Sequence, residues 1–177
     1  MTKSEILNSL HKHLTETNSF LNTTDNSIFF RSIDNKWSIA EQIEHLGLSF
    51  FATNLVFSMP KSILGTIIGK NKRSNLSSEA IINQYLAKLS SGSKASFPYQ
   101  PKLSILKNRT LILNFWNKTQ KKMISLIEKT KEEDLDIYLI PHPIIGKITL
   151  REFLYFTIYH IEHHLNSMRN IVATTKL

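Results

Sequence analysis

Seven histidines and no cysteine define the side-chain chemistry open to this 177-residue chain. Without thiols there is no disulfide, no thiolate metal site and no cysteine nucleophile. Three of the histidines fall within five positions, in Tyr159-His160-Ile161-Glu162-His163-His164. On a helix each residue advances by about 100°, so His160 and His164 stand about 40° apart around the axis and one turn apart along it. Both imidazoles can reach one point in front of the helix, which is why metalloproteins place histidines four apart. His163 cannot share that point with both others as easily and is expected nearer the surface.

The face they occupy decides what they can do. Leu150, Leu154, Ile158, Ile161, Leu165, Met168 and Val172 form one apolar stripe, and Phe153, Thr157, His160 and His164 run beside it. The pair therefore borders the core, aimed into a bundle or a cleft at its edge. A second segment repeats the layout, with Ile39, Ile43, Leu46 and Phe50 as its stripe and Glu41, Gln42, His45 and Ser49 alongside. Three histidines from two helices would supply three nitrogens and leave an open position, the plan of catalytic zinc sites. Spacing alone does not bring two helices together, and a single histidine on a mixed face is usually just hydrogen-bonded or solvated. His11 and His13, two apart, face different directions and read as solvated. His142, between Pro141 and Pro143, reads as a residue that shapes a loop. Glu41, Glu44 and Glu162 are candidate carboxylates for orienting ligand imidazoles, although Glu41 has a capping role and solvent is the default for the other two.

Four long helices have to position these residues. The first is expected over residues 4–20, with Ile6, Leu7, Leu10, Leu14 and Phe20 at helical spacing. The second starts at Ser38, where Ser38-Ile39-Ala40-Glu41 is a capping box, and Pro60 stops it. The third spans 104–131. The fourth starts at the capping box Thr149-Leu150-Arg151-Glu152 and runs to about residue 173. A shorter helix is expected over 78–89. Residues 59–77 carry Pro60, Gly65 and Gly69 with Lys61, Lys70, Lys72 and Arg73, and read as an exposed basic excursion. No run alternates like a strand, although 135–140 suits a short extended piece. The fold class is all-α, an antiparallel four-helix bundle in one domain over 1–177, with the short helix and loops between the second and third main helices.

Composition narrows the function classes. Apolar residues at 41% with 20% charged residues suit a chain that buries a full core. The most apolar neighbourhood, residues 50–59, is interrupted by Thr53, Asn54 and Ser58 and is shorter than the ~20 residues a spanning helix needs. Nothing at the start resembles a signal peptide, so a cytoplasmic protein without a membrane partner is expected. A net charge of +8 raises the question of an anionic partner. No nucleic-acid motif accompanies it, so no nucleic acid is expected. Phe51, Phe57, Phe115, Trp116 and Tyr155 remain after one core stripe per helix is assigned. They suggest a homodimer face.

The stretch Lys36-Trp37-Ser38-Ile39-Ala40-Glu41-Gln42-Ile43-Glu44-His45-Leu46 resembles the second-helix motif of the DinB-like (DinB/YfiT) superfamily of four-helix-bundle metalloenzymes. His142-Pro143, Gly146, Thr149 and Phe153 through His160-Ile161-Glu162-His163-His164 resemble that family's last-helix motif, in the same order and separation. The resemblance implies one metal ligand from the second helix and two, four apart, from the last: His45, His160 and His164. It also implies a divalent ion, zinc or nickel among others, with water completing the site. Ser167 stands where many members carry glutamine. Characterised relatives include transferases and isomerases that use low-molecular-weight thiols, and a hydrolase branch. The expectation is therefore a metal-dependent enzyme that activates water or a thiol, of S-transferase or hydrolase type. With no cysteine in the chain, a thiolate must arrive on a cosubstrate. The other reading is a non-catalytic bundle that binds a small ligand or metal.

Overall fold

Three capping boxes start three of the long helices, and the computed structural model, which describes residues 1–33, 36–95 and 97–175, shows both bonds of each. Ser38 and Glu41 exchange theirs at 2.8 and 3.3 Å, opening helix α3 (Ile39–Ser58). Thr149 and Glu152 do so at 2.8 and 3.1 Å at the head of α8 (Leu150–Thr175). The third, Thr2 with Glu5, opens α1 (Lys3–Thr23). Asn108 caps α6 (Arg109–Lys129) by accepting from the Leu111 N–H. Each bond satisfies a backbone donor that a helix start leaves without a partner.

These four helices form the expected antiparallel bundle, with α3 packed on α6 and α1 on α8. Ile6, Leu10, Ile43, Phe50, Trp116 and Leu165 meet in its buried core. At Gly47 of α3 the Phe115 ring of α6 takes the place of a side chain, since an added Cβ would lie 2.8 Å from it. Short helices fill the connections: α2 (Asn26–Phe29), α4 (Lys61–Ile67), α5 (Ser78–Ser90) and α7 (Asp134–Ile137). No described helix is long and apolar enough to cross a membrane.

Several expectations change. The third long helix begins at Arg109, because Leu103–Leu106 is a separate 3₁₀ turn ended by Lys107 at φ 47°. The turn is pinned by the buried Glu44 carboxylate, which accepts from the backbone N–H of Lys102, of Leu103 at 2.7 Å and of Ser104 at 2.8 Å. Residues 59–77 are not simply an exposed excursion: they contain α4, Lys61 lies near the rings of Phe57 and Tyr138, and Arg73 bonds to Glu152. Residues 139–149 form an antiparallel hairpin, β1 (Leu139–His142) with β2 (Gly146–Thr149), rather than a lone extended piece. Pro141 is tolerated in it because a two-stranded hairpin has only edge strands. Of the five residues that suggested a dimer face, Phe57, Trp116 and Tyr155 are core, and Phe115 is half-buried against Gly47. Phe51 alone is exposed, at 50%.

Candidate metal centre

Helical geometry brings His160 and His164 to one point, and the packing of α3 beside α8 adds His45. His160 Nε2 lies 3.1 Å from His45 Nε2 and 3.1 Å from His164 Nε2. All three side chains are buried. Trp37 lies 4.9 Å from the His45 ring and stacks on His164, while Phe156 stacks on His160 at 4.9 Å. Beside His45 and His160 opens a cleft of about 180 Å³, lined also by Tyr85, His142, Phe153 and Phe156 and bordered by the exposed Lys94.

Which nitrogens carry protons follows from their outer partners. His45 Nδ1 is 2.8 Å from the Tyr99 carbonyl oxygen, which can only accept, so Nδ1 carries the proton and Nε2 the lone pair. The Gln42 amide donates to the Trp37 carbonyl at 3.0 Å, and this fixes its orientation. Its oxygen therefore faces His164 Nδ1 at 3.0 Å, which must be N–H, and again Nε2 holds a lone pair. Two acceptors thus face His160 Nε2, which can offer at most one proton. At least one of the two 3.1 Å contacts sets lone pair against lone pair. Protonating a ring does not relieve this cheaply. Burial, then the neighbouring rings, hold His160 and His164 well below the ordinary imidazole pKa. Burial also lowers His45, partly offset by the Tyr99 carbonyl. Three neutral nitrogens converging on one buried point beside an open cleft fit a divalent ion, and the three residues form a group able to hold one.

The same geometry is read differently for the other candidates. His163 is half-buried and outside the group, its ring 5.3 Å from that of His164. His11 is exposed, as expected. His13 is half-buried, and its Nδ1 has no partner among the described residues. His142 does shape its loop, but it also lines the cleft. None of the three carboxylates orients an imidazole, because Glu41 caps α3, Glu44 holds the 3₁₀ turn and Glu162 is exposed. That task falls to the Gln42 amide and the Tyr99 backbone carbonyl. Gln42 stands three residues before His45 on the inward side of α3, a position that marks it in retrospect. Tyr99 acts through its backbone, which leaves no mark in the sequence.

A model of the DinB superfamily matches residues 9–168. The chain belongs to the DinB superfamily. No curated protein matches it. Solved structures that share the bundle of this DinB-superfamily chain include the following two. TT2238, described as a four-helix bundle protein, is 15% identical with a TM-score of 0.61, over 96% of this chain and 99% of that one. The colibactin self-resistance protein ClbS, solved in complex with a dsDNA, is 11% identical with a TM-score of 0.57, over 97% of this chain and 96% of that one. At these identities the likeness is one of fold.

Outer partners that fix a ligand's tautomer affect metal affinity about 10–100-fold when removed. Gln42→Leu, close in size, is expected to leave the helix content unchanged and to weaken zinc binding by roughly that factor. A competition titration against a chromophoric chelator measures it. Equal affinity would show that Gln42 merely fills space.

Proposed function

We propose that this DinB-superfamily protein is a metal-dependent enzyme that holds one divalent ion, zinc or nickel, on His45, His160 and His164. The observation that carries the reading is the convergence of three Nε2 atoms, those of His45 and His164 each 3.1 Å from that of His160 and both fixed as lone pairs. When bound, such an ion lowers the pKa of water or stabilises a thiolate, giving a nucleophile near neutral pH. The chain's own residues prepare the place. Tyr99 and Gln42 hold two rings in the ligand tautomer, and Trp37 and Phe156 cover the imidazoles on either side. The cleft admits a substrate next to His45 and His160.

Among the described residues no carboxylate lines that cleft. A low-molecular-weight thiol would bring its own nucleophile, and Lys94 at the border suits an anionic one. S-transfer or hydrolysis is therefore the reaction type, and a non-catalytic ligand- or metal-binding bundle is the alternative. The dsDNA in the ClbS complex belongs to that protein. Here Arg73, Arg109 and Arg151 are committed to internal bonds, with Glu152, with the carbonyls of Leu21 and Thr24, and with Asp136 and Glu132.

The test uses protein made without a histidine tag and stripped of metal. Titration with zinc or nickel at neutral pH is expected to reach saturation at one equivalent, and no saturable binding would end the reading. Turnover of an electrophile by the zinc-loaded protein with a small thiol, or its hydrolysis, separates the enzyme from the binding protein.

A further inference from the structure

His142 stands where the hairpin meets the cleft, and the proposed metal chemistry does not use it. Its ring is buried edge-on to Phe156, with centroids 4.3 Å apart, and lies 6.3 Å from Tyr85. Nδ1 accepts from the backbone N–H of Ile144 and of Ile145, each at 3.2 Å. A nitrogen that accepts two N–H groups carries no proton, so the neutral ring must be protonated at Nε2. Burial pushes the ring's pKa down to about 4, which agrees with a neutral side chain.

Nε2 has no hydrogen-bond partner among the described residues, and it is not one of the sealed unpaired atoms, which are His13 Nδ1, Asn54 Oδ1 and Lys61 Nζ. Since the ring lines the cleft, Nε2–H is the donor it offers there. Water can meet this donor in the empty cleft, and a ligand that displaces the water must supply an acceptor in its place or lose affinity. A dry cavity of roughly 150 Å³ holds benzene, so about 180 Å³ takes one ring with a small substituent. The imidazoles in this recess are neutral, and Lys94, the one charged side chain among its lining residues, is exposed, so the buried part around His142 offers no charge to an acceptor.

We infer that His142 is a substrate-binding residue whose Nε2–H donates to an uncharged oxygen acceptor, such as a carbonyl, on a small apolar substrate of about single-ring size held against Phe153 and Phe156. The assignment rests on the metal reading only for which end of that substrate reacts.

The test is run on metal-free protein labelled with ¹⁵N-histidine, so loss of zinc binding would sink the metal centre and leave this result standing. Two-bond ¹H–¹⁵N correlation at neutral pH is expected to show His142 as the Nε2–H tautomer, and acetophenone is expected to shift that resonance. α-Methylstyrene has the same shape with the carbonyl oxygen replaced by CH₂. The ratio of acetophenone to α-methylstyrene affinity is expected to fall about threefold to tenfold in His142→Phe, the worth of one hydrogen bond. It should recover in His142→Gln, whose amide nitrogen can occupy the place of Nε2. A ring that merely supports the loop would change both affinities together. An Nδ1–H tautomer, no shift with acetophenone, or an unchanged ratio in a folded His142→Phe would each overturn the inference. If His142→Phe loses its far-UV helix signal, the tautomer and the shift in the wild type decide.

Discussion

Apo protein carrying His160→Ala is expected to lose stoichiometric zinc or nickel binding, whereas His163→Ala is expected to keep it. His160 is the hub, since its Nε2 lies 3.1 Å from both other ligand nitrogens. Alanine there leaves one donor on each of two helices with no atom between them. The loss should exceed the roughly 100-fold ceiling for removing an outer partner such as Gln42. His163 contributes no nitrogen to the group, and its half-buried ring can be removed without touching the tautomers of the other three. Protons compete with the ion for these nitrogens. Because burial lowers the pKa of His160 and His164, their neutral, ligating form persists below the ordinary value of about 6.5. Binding should therefore hold as pH falls from 7 to about 6 and weaken only in more acid solution. Competition against a chromophoric chelator across pH 5–8 measures both effects. If wild type binds no more tightly than His160→Ala, the site does not exist and the enzyme reading goes with it.

What the sequence reveals here is mostly what lies within one turn of chain. Ser38 with Glu41, Thr149 with Glu152, and His160 with His164 are local pairs, and their geometry follows from helical spacing. His45 joins them from 115 residues away. Only the family resemblance supplied that partner. The Arg73–Glu152 pair, 79 residues apart, is invisible for the same reason, so the basic run that contains Arg73 looks solvated when read alone. Assigning one apolar stripe per helix also misplaced Phe57, Trp116 and Tyr155. In its first turns α8 buries Arg151, Glu152, Phe153, Leu154, Tyr155 and Phe156 in succession, because other elements cover it on several sides. The hairpin escaped notice because four-residue strands are too short to show alternation.

Glu152→Ala is expected to destabilise the fold by about 3 kcal/mol. The side chain is fully buried and accepts from both terminal nitrogens of Arg73 at 2.6 and 2.7 Å, from the Leu76 N–H at 2.6 Å and from the Thr149 N–H at 2.8 Å. Breaking a buried ion pair costs about 3–5 kcal/mol when the surviving charge stays buried. Arg73 is 43% exposed and can return to water, so the lower end applies. What remains is two backbone N–H groups left without an acceptor, that of Leu76 and that of Thr149 at the head of α8, about 1.5 kcal/mol each. Glu152→Gln keeps the shape and one acceptor oxygen, so it should cost less. Burial alone would raise the pKa of Glu152, but Arg73 and the two N–H groups outweigh it and the pKa is lowered. A carboxylate whose pKa is lowered on folding stabilises the native state above its unfolded value, about 4.3, and that contribution is lost as pH falls through the folded value. The gap between wild type and Glu152→Ala should therefore be full at pH 7 and close below about pH 4. Urea unfolding followed by circular dichroism, with equal slopes required for the comparison, measures the gap. Glu152 also ties the 73–76 segment, which leads into the helix of Tyr85, to the head of the helix that carries His160 and His164. Its loss should accordingly weaken zinc binding even in protein that remains folded, and undiminished affinity would show that the bundle alone holds the three histidines in place.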